Sequence, residues 1–311
     1  MSNQTHIENQ PFVSVIIPFK NNLDEVSKIQ KRLVAQTYPS EKFEILFIDN
    51  GSEDKFEVIQ IDGFQCKILE EEEHLNSPYS ARNRGIEAAR GEIIAFIDAN
   101  SFPEPDWVEQ GVIKMMQKNA DLIAGEVRFT FGKKATAAMV ADSMTSIQME
   151  NAVMNRGVAY TANLFIKKWV FDQVGLFEEG IRSGGDVRFT GKATSEGYQL
   201  FYCKEAVVFK RARGFKELYR KKIRTGKGYF YTWKDEIDKP IWFYNFFRSL
   251  KPIGLPKTKN DYPEVNRLIL WFHLYFTGVL EQISFIIEYF RYTLGRQRDL
   301  DRRDEMKISK S

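Results

Sequence analysis

Three short apolar runs, each closing on a polar loop, set the pattern of the N-terminal half. Val13 to Ile17 runs into Pro18-Phe-Lys-Asn-Asn22, Phe43 to Ile48 into Asp49-Asn-Gly-Ser-Glu-Asp54, and Ile93 to Ile97 into Asp98-Ala-Asn100. Runs this short do not make ordinary helices, and unbroken apolarity fits strands covered on both faces. Between the first two, apolar residues at 23, 26, 29, 33 and 34 keep helical spacing until Tyr38-Pro39, which completes a βαβ unit. Ser77 and Pro78 read as the N-cap and first-turn residue of a helix through Ala89, ended by Gly91. The expectation is a parallel sheet with helices on both faces. In such sheets ligands bind just outside the carboxyl ends of the strands, so the loop at Asp98 and Asn100 is where a substrate belongs.

Beyond residue 130 the pattern loosens. Phe131 to Arg156 suits a helix, and 197–202 and 206–210 read as two late strands. Ile241 to Leu250 is rich in aromatics and is followed by Pro252, Gly254 and Pro256, which marks a hinge or linker. Leu268 to Tyr289 is mostly apolar, with His273, Thr277, Glu281, Ser284 and Glu288 recurring every three or four residues on one face. Two acids near its far end suit a membrane-spanning helix poorly. An amphipathic helix in a membrane interface, with Arg291, Arg296, Arg298, Arg302 and Arg303 beyond it, suits the pattern better. A dimer helix, or a lid packed on the rest of the chain, would carry the same face.

Composition narrows the classes. A chain of 311 residues, 43% hydrophobic, buries a full core as one large domain or one domain with an appendage. Two cysteines, Cys66 and Cys203, make no disulfide framework and read as reduced thiols in a cytosolic setting. The polar N-terminus, MSNQTHIENQ, lacks the regions of a secretory signal. His6, His74 and His273 have no ligand spacing, which argues against zinc. No G-x-G-x-x-G follows the first run, which argues against a dinucleotide-dependent oxidoreductase. A net charge of +3 does not point to nucleic acid. Residues 204 to 228, however, hold ten Lys or Arg against Glu205 and Glu217. Such a run is either a solvated helix face or a clamp for phosphates.

These residues resemble family 2 glycosyltransferases, the inverting, nucleotide-sugar-dependent class with a GT-A fold. Val15-Ile-Ile-Pro-Phe-Lys-Asn21 is similar to the opening strand and loop of that family. Ile48-Asp-Asn-Gly-Ser-Glu-Asp54 is similar to its DDGSxD segment. Ala81-Arg-Asn-Arg-Gly85 with Ile97-Asp-Ala-Asn100 resembles the approach to its DxD signature. The resemblance covers roughly residues 11 to 230. It implies an α/β fold with a mostly parallel, Rossmann-like central sheet. A GT-A-like domain over 11–235 would have its donor part at about 11–130 and its acceptor part at about 131–235. The aromatic linker and helical extension would occupy 236–311.

Carried over residue by residue, the resemblance implies that Pro18 and Asn21 line the nucleotide, Asp49 pairs with the base, and Arg82 and Asn83 border the pocket. Asp98 would face the metal and diphosphate, with Mg2+ or Mn2+ as the hard cation that neutralises the leaving group. Uridine is the first base implied, with guanosine and thymidine open. Two positions depart from the pattern: Asn100 replaces the second acid of the signature, and Lys210 stands where a metal-binding histidine is common. Both point toward weak or dispensable metal, with Lys210 contacting diphosphate oxygens. Asp186, after Gly184 and Gly185 where an acid pair is usual, is the candidate base, although Asp is also a good helix cap.

Arg220, Arg224 and Lys227 are candidates for an acceptor or phosphate clamp, with Gly226 and Gly228 in a mobile loop. Arg220 to Arg224 is followed by Thr225 and not by Trp, unlike processive synthases, so a single addition is expected. The acceptor would be a glycan or a lipid-linked acceptor, and the enzyme cytoplasmic, peripheral on the inner face of the cell membrane or self-associating. The competing reading is a degenerate, non-catalytic glycan-binding or scaffold protein with the same fold.

Overall fold

A computed structural model of the chain describes residues 10–21, 23–57, 63–233 and 262–308, with 247, 250, 251 and 253–256 between the last two stretches. The aromatic run at 242–246 and Pro252 lie outside the described residues, as does His6. The chain forms two compact units, one of residues 1–133 with 143–212, the other of 134–142 with 213–311.

The first unit is built on eight strands. They are β1 (Val13–Phe19), β2 (Phe43–Asp49), β3 (Gln65–Glu70), β4 (Ile93–Ile97), β5 (Ser101–Pro103), β6 (Leu122–Thr130), β7 (Asn163–Lys167) and β8 (Leu200–Arg211). Their order across the sheet is β3-β2-β1-β4-β7-β6-β8-β5. The strands expected at 13, 43 and 93 are the parallel centre of this sheet, β1 lying between β2 and β4.

Helices cover both faces. On one, α1 (Leu23–Val34) and α3 (Trp107–Lys118) pack Val26, Ile29, Leu33, Trp107 and Val112 onto Val15, Ile17, Ile45 and Phe47. On the other, α2 (Pro78–Ala88), α6 (Trp169–Val174) and α7 (Gly185–Ser195) pack Ile86, Phe171 and Phe189 onto Ile16, Leu46, Ile94 and Phe96. Neighbouring strand residues feed opposite layers, so a strand in this position must be apolar throughout. Ser77 caps α2 as expected, its hydroxyl accepting the Ser80 N–H.

The sheet is parallel at its centre, as expected, and mixed beyond it: β7 runs antiparallel to both β4 and β6, and β5 runs antiparallel to β8. The two late strands are one strand, β8, whose ladder with β6 jumps register between Gly125 and Glu126. The polar gap at Lys204-Glu205 is this bulge. It turns the carbonyls of Glu126 and Ala206 out of the ladder, and the buried Asn163 amide donates to both at 2.8 Å. Trp107 Nε1 donates to the other end of that amide at 2.8 Å. A bulge buried in a sheet persists when such a side chain satisfies its freed groups.

The expected helix over 131–156 is two helices, α4 (Ala137–Thr145) and α5 (Met149–Arg156). In the second unit, α8 (Phe215–Trp233) packs on α9 (Arg267–Ile308). Gly226 and Gly228 are helical and not in a loop, a correction with a steric cause. A Cβ at Gly226 would come 2.2 Å from the Glu281 carbonyl oxygen, so glycine lets the two helices approach. The polar face of α9 meets α8: Lys222 Nζ lies 3.0 Å from Glu281 Oε2, Thr225 donates to Glu281 at 2.6 Å, and Tyr231 donates to Glu288 at 2.8 Å. The amphipathic helix therefore turns its polar stripe inward, and Phe272, Phe276, Ile283, Ile287 and Phe290 are exposed. Part of the basic run is also internal. Asp142, fully buried, accepts the Arg213 N–H at 2.9 Å and lies 3.4 Å from Lys221 Nζ. Burial, with Arg213 nearby, pushes the Lys221 ammonium down to about 7.

At the amino ends of β1 and β2, the buried Glu44 accepts the Ser14 hydroxyl and the Arg90 N–H, each at 2.8 Å, and the Arg90 guanidinium at 3.1 Å. Burial works to raise the Glu44 carboxyl, but these hydrogen bonds and the Arg90 charge outweigh it and hold the group below its ordinary value. A carboxyl depressed on folding stabilises above its unfolded value, about 4.3, and that contribution is lost as pH falls through the folded value. We expect Glu44→Gln to be less stable than wild type at pH 7 by about 1–3 kcal/mol. The gap should narrow below about pH 4 in urea unfolding, and a gap independent of pH would contradict the assignment.

Candidate active site

The loops after β1 and β2 meet edge to edge. Asn21, at φ 55°, donates its N–H to the Ser52 hydroxyl oxygen at 2.9 Å, and its side-chain oxygen accepts the Glu53 N–H at 2.8 Å. Asp49 accepts the Ser52 N–H at 2.9 Å. Pro18 pairs in register with Ile48 in the strands beneath. Pro18, Asn21 and Asp49 are thus brought together at the carboxyl ends of β1 and β2, where the sheet leaves a ligand edge.

One strand over, Asp98 follows the end of β4. Its Oδ1 accepts Arg82 Nη2 at 3.0 Å, and its Oδ2 accepts Lys210 Nζ at 2.8 Å. The Lys210 ammonium also reaches Asn100 Oδ1 at 2.6 Å and Ser101 Oγ at 3.2 Å. Lys210 comes from β8, paired across from Ser101 of β5, and its side chain is 2% exposed, against 32% for Asp98. Arg82, on α2, is 5% exposed, and its Nε is buried without a hydrogen-bond partner. Asn83, the next residue, engages Phe177 with both ends of its amide, donating to the carbonyl at 2.8 Å and accepting the N–H at 3.0 Å.

Asp186 is the second residue of α7. Its Oδ1 accepts the Tyr79 hydroxyl at 3.0 Å and the Val187 N–H at 2.9 Å, and its Oδ2 accepts the Thr161 N–H at 3.2 Å. The N-cap of α7 is Gly184, at φ 84°, in the left-handed region that favours glycine. A Cβ at Gly185 would lie 2.9 Å from the Tyr79 ring. The glycine pair thus turns the chain and lets Tyr79 reach Asp186. Tyr79 is the link that sequence reasoning missed: the Arg82 guanidinium lies 5.4 Å from its ring centroid, so Asp186, Tyr79, Arg82, Asp98 and Lys210 form one chain of contacts. Its spacing from Arg82, three residues along a helix, was the available signal. Burial, and then the Asp186 charge, push the Tyr79 phenol well above its ordinary value, which keeps it a donor.

Arg220, Arg224 and Lys227 lie on α8 in the second unit, at spacings of four and three that place them along one side of the helix.

Residues 14–173 match the family model described as Glycosyl transferase family 2. The chain belongs to that family. It is 41% identical over 227 residues to the glycosyltransferase AglE of Haloferax volcanii, covering 72% of this chain and 74% of AglE. It is 21% identical over 188 residues to TarS of Staphylococcus aureus, a poly(ribitol-phosphate) beta-N-acetylglucosaminyltransferase, covering 58% of this chain and 32% of TarS. A structure of TarS with UDP-GlcNAc superposes at a TM-score of 0.51 and 15% identity, covering 70% of this chain and 66% of that one. The mannosyltransferase PcManGT of Pyrobaculum calidifontis, solved with GDP-Man and Mn2+, superposes at 0.55 and 15% identity, covering 94% of this chain and 81% of its own. The family 2 chain described here is a glycosyltransferase with a GT-A fold.

For this family 2 enzyme a divalent cation can be tested against the residues present. Hard cations take several oxygen ligands, carboxylates first. Here Asp98 and the amide oxygen of Asn100 are both engaged by an ammonium. No group of three or more His, Cys, Asp or Glu suited to a metal occurs among the described residues. With the Lys210 ammonium on both of these oxygens, the residues around Asp98 do not fit a divalent ion. We expect Tyr79→Phe, which keeps the ring and removes the donor to Asp186, to cost roughly 1.5–3 kcal/mol of stability. Chemical denaturation checks this, and a change under 0.5 kcal/mol would mean that the hydroxyl is not bound to Asp186 in solution.

Proposed function

We propose that the protein is an inverting glycosyltransferase that moves one sugar from a nucleotide-diphosphate donor to a hydroxyl of a glycan or lipid-linked acceptor. The observation that carries this reading is the chain of contacts joining Asp186 to Asp98 through Tyr79 and Arg82. It sets a carboxylate suited to proton abstraction beside a cationic cluster suited to a leaving diphosphate. Pro18, Asn21 and Asp49 hold the nucleotide at the ends of β1 and β2. A UDP-sugar is the donor favoured by the resemblance, while TarS holds UDP-GlcNAc in one structure and PcManGT holds GDP-Man in another. In the reaction the acceptor oxygen attacks the anomeric carbon as its proton passes to Asp186. The bond from that carbon to the diphosphate oxygen breaks on the opposite side, and the electron pair leaves with the diphosphate. Arg82, with a buried donor still unpaired, meets the charge that develops there. Asn83, by this reading, supports Arg82 from behind by fixing α2 to Phe177.

A second reading concerns place. Arg267–Gly295 is long and apolar enough to cross a membrane by length and composition, and Phe272, Phe276, Ile283, Ile287 and Phe290 are exposed on it while Glu281 and Glu288 meet α8. Water-exposed helices show the reverse arrangement. The proposal is attachment to the inner face of the cell membrane through this stripe, with the arginines that follow it in sequence binding anionic headgroups. Arg220, Arg224 and Lys227 would then attract a phosphate-bearing acceptor.

We expect Asp186→Asn to lower transfer roughly 10²–10⁴-fold with nucleotide affinity little changed, measured with a panel of UDP-, GDP- and dTDP-sugars. Transfer near the wild-type rate in that variant, correctly folded, sinks Asp186 as the base. Phe272→Glu with Phe276→Glu should abolish flotation with vesicles of anionic lipid, and undiminished flotation would remove this face as the anchor.

A further inference from the structure

We infer that the Lys210 ammonium is the resident cation of this enzyme, standing where a divalent metal would bind and making transfer independent of one. This deepens the proposed reading, since it rests on Asp98 facing the donor diphosphate. The ammonium is within hydrogen-bonding distance of three oxygens, at 2.6 Å from Asn100, 2.8 Å from Asp98 and 3.2 Å from Ser101. Each can accept a hydrogen bond from the ammonium. Two of them, the carboxylate and the amide oxygen, are the ligands a hard cation would need. A divalent ion bonded to those oxygens would lie within a few ångströms of the ammonium, and the two charges would repel.

The lysine is held in place. Its side chain is 2% exposed, and its backbone is paired on both sides, with Ser101 of β5 and Phe129 of β6. A buried ammonium is costly unless fully paired, which ties Lys210 to these oxygens. The departures at 100 and 210 are also coupled. An acid at position 100 would favour a metal of higher charge, whereas the neutral amide leaves one carboxylate facing two cations, Arg82 and Lys210. Arg82 and Lys210 thus bring two cations to the place where a diphosphate would lie. Lysine serves here as a point charge, the role it fills at phosphate sites elsewhere.

The test is nucleotide binding by the full chain, titrated calorimetrically with UDP, GDP and dTDP in chelator and again with Mn2+, while bound Mn2+ is followed by electron paramagnetic resonance. The expected result is one base binding with the same affinity, within threefold, in both conditions, and no protein-bound Mn2+. Lys210→Met should weaken that binding at least tenfold in chelator. Should that variant fail to fold, Lys210→His with Asn100→Asp is the second, and it should acquire bound Mn2+ and a tenfold gain in nucleotide affinity with the metal. Tenfold tighter binding with Mn2+ in the wild type, or a bound Mn2+ signal, overturns the inference while leaving the donor reading intact. Failure of all three nucleotides to bind in either condition overturns the donor reading and the inference together.

Discussion

The first unit converges on one carboxylate. Asp98 leaves the end of β4 and is gripped from α2 by Arg82 and from β8 by Lys210, while Lys210 also holds Asn100 and Ser101 of the next turn. Lys210 is one of the largest fully buried side chains in the molecule, and an ammonium in that position is tolerable only with its oxygens around it. Removing Asp98 would leave the buried Lys210 ammonium without its carboxylate, a loss that is strongly destabilising. Helix α2 and strands β4, β5 and β8 therefore meet at fixed distances around Asp98.

Packing around that point is set by close approaches. Gly184 and Gly185 give α7 a left-handed entry and room for the Tyr79 ring, and that ring delivers its hydroxyl to Asp186 while its face receives Arg82. Asn163 repairs the bulge between β6 and β8 and ties it to Trp107. Bulges near functional edges re-aim side chains; this one shifts the register of the strand that carries Lys210. The second unit sets ion pairs and hydroxyls beside the buried Phe230–Phe285 contact between α8 and α9, with Phe272, Phe276 and Phe290 outside. Polar groups placed between helices give a specific register, because each must find its partner when buried.

Much of this was legible in the residues. Unbroken apolar runs before Pro18, Asp49 and Asp98 located β1, β2 and β4 within one or two residues, and Ser77-Pro78 marked the start of α2. Those signals are local: strand burial and helix capping depend on neighbours in sequence. The motifs at 15–21, 48–54, 81–85 and 97–100 likewise carried the family, because they are read in order along the chain. Alternation could not reveal that β7 runs antiparallel, since a strand covered on both faces reads the same in either direction. Nor could it show that the polar gap at Lys204-Glu205 lies inside one strand, because a bulge is defined by the partner strand it fails to match.

What the sequence determined, then, was which residues could make strands, helices and chemistry. Which of them meet was decided by tertiary structure. Lys210 and Asp98 are 112 residues apart and Tyr79 and Asp186 107 apart, and only the sheet order brings each pair within 3.0 Å. The stripe of His273, Thr277, Glu281, Ser284 and Glu288 was visible as a stripe, but its direction was not. A helix periodicity gives two faces, and the hydroxyls and ammonium of α8, supplied from about 60 residues away, determined which of them turned inward.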